Sequence, residues 1–134
     1  MKKLELAAKL ENLESMLTFI RKEAEGLGFD SKKLNQIQLA AEEVLVNVIN
    51  YAYPDKDGNI EITLIPKDTR GLEVEVVDWG FAFDPLSMPD PDICANLEKR
   101  KIGGLGIYLV RKLMDEVNYQ RQGECNILTF IKYK

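Results

Sequence analysis

Apolar positions repeat every second residue at the start of this chain and every third or fourth soon after. Leu4 and Leu6 alternate with Lys3 and Glu5, which predicts a short strand over residues 3–7. After Asn12, a residue type that caps helices, Leu13, Leu17, Ile20, Ala24 and Leu27 fall at helical spacing, and Gly28 is placed to end that helix. Asp30 or Ser31 caps a second helix, with Phe29 and Leu34 spaced as a hydrophobic staple. It is predicted to run to about Ala52, before Pro54 and the turn sequence Asp55-Lys56-Asp57-Gly58. Alternation returns at Ile60, Ile62 and Leu64, and again at Leu72, Val74 and Val76, with Arg70-Gly71 in the turn between them. Residues 81–102 carry three prolines and few periodic apolar positions, which reads as a long mobile loop. A third helix is predicted from near Gly104, turning Ile107, Val110, Leu113 and Met114 inward. Residues 117–121 and 127–133 then form a hairpin turned by Gln122-Gly123-Glu124. The sum is an α/β two-layer sandwich: one mixed, mainly antiparallel sheet with helices on one face.

Composition narrows the chemistry. A length of 134 residues suits one domain spanning 1–134, with 46% hydrophobic and 30% charged residues as in an ordinary globular protein. No run approaches the roughly 18 apolar residues of a membrane span, and Met1-Lys2-Lys3-Leu4-Glu5 lacks a signal-peptide core, so a cytoplasmic location without a membrane is expected. A net charge of −4 argues against a nucleic-acid partner despite local basic clusters at Lys99-Arg100-Lys101 and Arg111-Lys112. Cys94 and Cys125 have no metal-ligand spacing and read as reduced thiols. The chain contains no histidine. That excludes Ser-His-Asp and Cys-His catalysis, His-ligated zinc and a phospho-accepting histidine within the chain. Carboxylates, amides, backbone and a bound cofactor must do the work.

Three short motifs meet that requirement. On the second helix Glu43 and Asn47 lie at about 0° and 40° on a helical wheel whose apolar stripe centres near 150°. Leu39 and Val46 flank them on one side and Ala40 and Val44 on the other, so the pair is a polar notch in an apolar surface. An Asn oxygen suits Mg²⁺, and a carboxylate one turn earlier suits a general base on a hydroxyl attacking a γ-phosphate. A plain helix-surface polar pair is the competing account. On the second alternating strand, Asp78 shares a face with Leu72, Val74 and Val76 and is therefore predicted to point inward. An inward carboxylate calls for a donor, which an adenine amino group would supply; an Asp that caps a turn is the alternative. Gly80 permits close backbone approach, Phe83 can pack, and Asp84-Pro85 turns the chain away. Gly103-Gly104-Leu105-Gly106 offers amide donors and a positive dipole end to phosphates, although such entries also serve tight packing. It is neither a P-loop nor a Rossmann turn. Lys99, Arg100 or Lys101 would reach a triphosphate, or remain a solvated charge run.

With these residues in place, the chain resembles the GHKL (Bergerat-fold) ATPase superfamily, and within it the small anti-sigma-factor serine/threonine kinases. Glu43-x-x-x-Asn47 matches the N box, Asp78-x-Gly80-x-x-Phe83-Asp84-Pro85 the first glycine box, and Gly104-x-Gly106 the second. The match extends over nearly the whole chain, including Leu113-Met114-Asp115-Glu116-Val117 and the final hairpin. The resemblance implies a kinase that uses ATP and Mg²⁺ to phosphorylate a Ser or Thr of a STAS-domain anti-anti-sigma partner, sequesters a sigma factor in transcription regulation, and often dimerises. It implies Glu43 as catalytic base, Asn47 on Mg²⁺ and Asp78 on adenine. It further places Gly80, Phe83, Gly103, Gly104, Leu105 and Gly106 around the nucleotide, with residues 84–103 as the ATP lid. Two departures stand out: Tyr51-Ala52-Tyr53 replaces the common His-Ala-Tyr, and Phe81-Ala82 replaces a common Gly or Pro. Other readings are a module that binds ATP and partners without phosphotransfer, and the catalytic part of a histidine kinase whose histidine lies on another chain. A structural protein with a degenerate site comes last, since all three boxes keep their polar residues.

Overall fold

The computed structural model describes residues 1–54, 56–68, 70–82, 84–87 and 104–134, without the side chains of 87 and 104–106. Strand β1 is Lys2–Ala7, and a 3₁₀ turn at Leu10–Asn12 leads into helix α1, Leu13–Gly26. Asn12 sits at the start of α1 but does not cap it. Its side chain instead donates to the Ala7 carbonyl at 2.9 Å, tying the helix entry to the end of β1. The other end of α1 is closed by backbone alone. Gly28 (φ 90°) donates to Glu25 and Phe29 to Ala24, the paired bonds of a Schellman motif in which glycine takes the left-handed position.

Helix α2, Ser31–Tyr51, starts at once. The Asp30 side chain accepts from the Lys33 amide at 2.9 Å, and the staple residues Phe29 and Leu34 are both buried. Strands β2 (Asn59–Lys67) and β3 (Gly71–Asp78) follow, then a 3₁₀ turn at Pro85–Ser87, helix α3 (Gly104–Leu113), β4 (Glu116–Gln122) and β5 (Cys125–Tyr133). The mobile loop expected over 81–102 falls largely outside the described residues. Its described beginning turns where Asp84-Pro85 was expected to turn it, with Asp84 Oδ1 accepting from the Leu86 amide at 2.8 Å.

The sheet order is β1-β2-β3-β5-β4. All four ladders among the described residues are antiparallel, so the sheet carries none of the parallel pairing that a mixed sheet allows. Ile60, Ile62 and Leu64 of β2 and Leu72, Val74 and Val76 of β3 face α1 and α2 and are almost fully buried, as their alternation requires. Met16, Ile20 and Ala24 meet them from α1, and Ile37, Ala41, Val44 and Leu45 from α2. Each of these side chains larger than alanine contributes about 1.5–3 kcal/mol by leaving water. From α3 and the residue after it, Val110 and Met114 join the same core, and Lys132 Nζ donates to the Leu113 carbonyl at the helix end.

Candidate functional site

The antiparallel register decides what meets at one end of the sheet. Asp78 is the last residue of β3, and its Cα partner on β5 is Asn126. The two polar residues continue the inward rows Val74-Val76 and Phe130-Leu128, so both are carried onto the core face, where they are 5% and 6% exposed. The C-terminal half of α2 lies across that end, and Val48 and Asn47 look onto the same space. The result is a pocket with apolar walls from Val44, Val48, Val76 and Leu128. Its polar groups are Asn47, Asp78 and Asn126, with the phenols of Tyr51 and Tyr119 at its sides. A mostly apolar lining with a few convergent polar groups is that of a small-molecule site.

A buried carboxylate is costly unless donors surround it. Asp78 receives two, and both go to the same oxygen: the Gly80 amide at 2.9 Å and Asn126 Nδ2 at 2.9 Å. Oδ2 takes no hydrogen bond from any described residue. Asn126 Nδ2 also donates to the Phe81 carbonyl at 2.9 Å, and its Oδ1 accepts a short bond from the Tyr119 hydroxyl. The turn after Asp78 is held from two further sides. Arg121 Nη1 donates to the Gly80 carbonyl at 2.8 Å. The Tyr53 hydroxyl accepts from the Trp79 amide at 2.8 Å and donates to the Asn59 carbonyl at 2.7 Å. Its phenol pKa lies above the ordinary tyrosine value, burial being the main cause and the nearby Asp78 charge a lesser one. The need for glycine at position 80 comes from α2: a Cβ there would stand 2.2 Å from the Ala52 carbonyl oxygen.

A model of the histidine kinase-like ATPase domain matches residues 6–132. The chain belongs to that family. Its relatives include the serine/threonine-protein kinase BtrW of Bordetella bronchiseptica, 31% identical over 98 residues, which are 72% of this chain and 68% of that protein. The serine-protein kinase RsbW of Listeria monocytogenes is 29% identical over 132 residues, 94% of this chain and 83% of its own length. These relatives place the chain with the RsbW-like branch of GHKL ATPases. Among solved structures, the RsbU and RsbW domains of a Mycobacterium tuberculosis protein superpose with a TM-score of 0.68 at 14% identity, covering 98% of this chain and 32% of that one. The mycobacterial sensor histidine kinase MprB gives 0.54 at 15% identity over 98% of this chain and 97% of that one. At such identities the likeness is one of fold.

For an RsbW-like ATPase domain, the residues expected at the site are distributed as follows. Asn47 and Asp78 come together on the pocket wall, and Gly80 lies directly behind Asp78. Glu43 stands one helical turn before Asn47, half-buried and outside the pocket lining. Its carboxyl pKa is raised above the ordinary glutamate value, first by burial and then by the like charge of Glu42. Gly104, Leu105 and Gly106 form the first turn of α3, which packs on α2. Phe83 and Gly103 lie outside the described residues, as do Lys99, Arg100, Lys101 and Cys94. Cys125 is a free thiol, and no group of metal-ligating side chains gathers among the described residues. Nor is any described helix long and apolar enough to cross a membrane.

Sequence reading passed over Asn126, Tyr119 and Tyr51. The signal for Asn126 was present: it breaks the apolar row of β5 two residues before Leu128, just as Asp78 breaks that of β3 two residues after Val76. Tyr51, which replaces the His of the common His-Ala-Tyr, sits one turn after Asn47 on the pocket wall.

Proposed function

We propose that this chain is an ATP-dependent protein serine/threonine kinase that acts on a STAS-domain anti-anti-sigma protein, and that it also binds the sigma factor which that protein controls. The observation that carries the nucleotide part is Asp78: a nearly buried carboxylate with one oxygen saturated and the other open, on the wall of an apolar pocket it shares with Asn47. The exocyclic amine of adenine is the donor that Oδ2 lacks, and the aliphatic walls suit a flat purine. The printed names of the relatives support the kinase part. The choice of partners rests on the family alone.

The roles follow from the chemistry of each group. Asn47 offers the amide oxygen for Mg²⁺, which when bound neutralises charge on the phosphates. The amides at the start of α3 face the same purpose with the positive end of the helix dipole. Glu43 takes the proton of the substrate serine as its oxygen bonds to the γ-phosphorus; the bond from that phosphorus to the bridging oxygen breaks and ADP leaves. A base with a raised pKa holds its proton longer, so turnover should rise with pH above the ordinary range of a free glutamate. That carboxyl is also better matched to proton transfer near neutrality.

Labelled ATP, the chain and a STAS protein, with mapping of the phosphorylated side chain, test this reading. Label on a serine or threonine that falls at least ~100-fold with Glu43→Gln while ATP binding persists supports it. Equal transfer by the variant removes Glu43 as the base. ATP-dependent complex formation without transfer makes the chain a regulatory binding module instead.

A further inference from the structure

Asp78 can select a base only if it presents the same acceptor each time, and a free carboxylate does not. Both its oxygens are equivalent, its χ2 torsion is broad, and it can take up a proton and turn donor. The surrounding bonds remove that freedom. Asn126 must place Nδ2 toward Asp78 and the Phe81 carbonyl, because both are acceptors and its Oδ1 would be repelled there. That orientation turns Oδ1 to Tyr119, whose hydroxyl donates to it from the other side and holds the amide in place. The chain of polarity therefore runs in one direction, from Tyr119 on β4 through Asn126 on β5 to Asp78 on β3. It ends on Oδ1 and leaves Oδ2 as an acceptor facing the pocket.

We infer that Tyr119 and Asn126 are positioning residues that set purine selectivity: they lock Asp78 as an acceptor for a 6-amino group and against a 6-keto group. The inference rests on the nucleotide-site reading above. An amine at that position completes the set of bonds. A carbonyl oxygen there meets a carboxylate oxygen with no proton between them, and both lose water without compensation. Sites built on such buried pairing discriminate strongly, because the wrong ligand leaves groups unpaired.

Calorimetric titration of the parent, Tyr119→Phe and Asn126→Leu with Mg-ATP, Mg-GTP and the triphosphate of unsubstituted purine riboside tests it. The parent should prefer ATP over GTP by ~100-fold or more and lose ~10-fold or more when the 6-amino group is absent. In Asn126→Leu the ATP preference should shrink by at least ~10-fold, with GTP affinity changed by less than ~3-fold, and removal of the amino group should cost little. Tyr119→Phe should move the ratio the same way by several-fold, with a lower unfolding midpoint because the buried Asn126 Oδ1 loses its donor. Variants that weaken all three nucleotides alike would mark the two residues as structural and overturn the inference. An unchanged ATP-to-GTP ratio in Tyr119→Phe overturns it even if Asn126→Leu does not fold. A parent that binds none of the three nucleotides instead overturns the site reading on which the inference stands.

Discussion

Glu43 holds its proton to higher pH than a free glutamate, since α2 removes part of its hydration and Glu42 adds a like charge. A pKa raised in the folded state means that the folded state binds more protons than the unfolded chain over the window between the two values. Stability from this group is fully present below the unfolded pKa and is lost as pH rises through the folded one. At neutral pH the ionised carboxylate therefore works against folding, a cost that solvent screening at a half-exposed position keeps to no more than about 0.5 kcal/mol. Glu43→Gln should accordingly unfold slightly later than the parent at pH 7, by about 1–2 °C, with the gain gone at about pH 3.5 where both side chains are neutral. Paired thermal melts at the two pH values check this. A variant that melts earlier than the parent at pH 7 would mean the carboxylate makes a stabilising contact. The same residue would then be a structural element of α2 rather than a group held ready at some expense to the fold.

Where α2 ends and β3 ends, two elements approach through a glycine. A methyl group at position 80 would lie 2.2 Å from the Ala52 oxygen and 2.7 Å from its carbon, and backbone atoms cannot swing aside as a side-chain tip does. Gly80→Ala should cost roughly 1–3 kcal/mol, read as a lower urea midpoint at unchanged m-value. An unaltered midpoint would show that the helix end yields freely. Much of this element level was legible in advance, for identifiable reasons. Alternation at Ile60-Ile62-Leu64 and Leu72-Val74-Val76 has one buried solution, and Asp30 with Phe29 and Leu34 is a self-contained start signal, so strands and helix entry appear where they were expected. Gly28 marked the end of α1 because only the left-handed turn there needs it. Strand direction left no such mark, since period two is the same in parallel and antiparallel ladders. Nor did the partner of Gly80: its role in letting backbone approach was expected, but that the backbone is α2's own Ala52 depends on a crossing some thirty residues away in sequence, on the order of a whole helix-to-strand excursion. Asn12 likewise looked like a cap and instead spans to β1, a non-local partner that no window of residues contains.

At the scale of the whole molecule, one pocket draws on most of the described fold. Asn47 and Val48 come from α2, Asp78 from β3, Tyr119 from β4 and Asn126 from β5, so a ligand there touches both layers at once. Asp78 and Asn126 were within reach of a sequence argument because each breaks an apolar row. Their pairing was not, because it needs the register of β3 on β5. Parting α2 from the sheet destroys a site shared in this way, and α2 carries Ile37, Ala41, Val44 and Leu45 into the common core. Binding should therefore report on global unfolding rather than on a local loop. A ligand held at 100 times its Kd by the folded state alone adds about 2.7 kcal/mol, which for a chain of this size raises the melting midpoint by roughly 8 °C. Mg-ATP should produce that rise, GTP much less, and ATP with a chelator an intermediate value if Asn47 holds the metal. Asp78→Asn provides the control inside the protein, since an amide there can turn an N–H toward the adenine amine and should remove most of the shift. A midpoint unmoved by saturating Mg-ATP would mean that the open oxygen of Asp78 is not waiting for adenine, and the pocket would need a different donor.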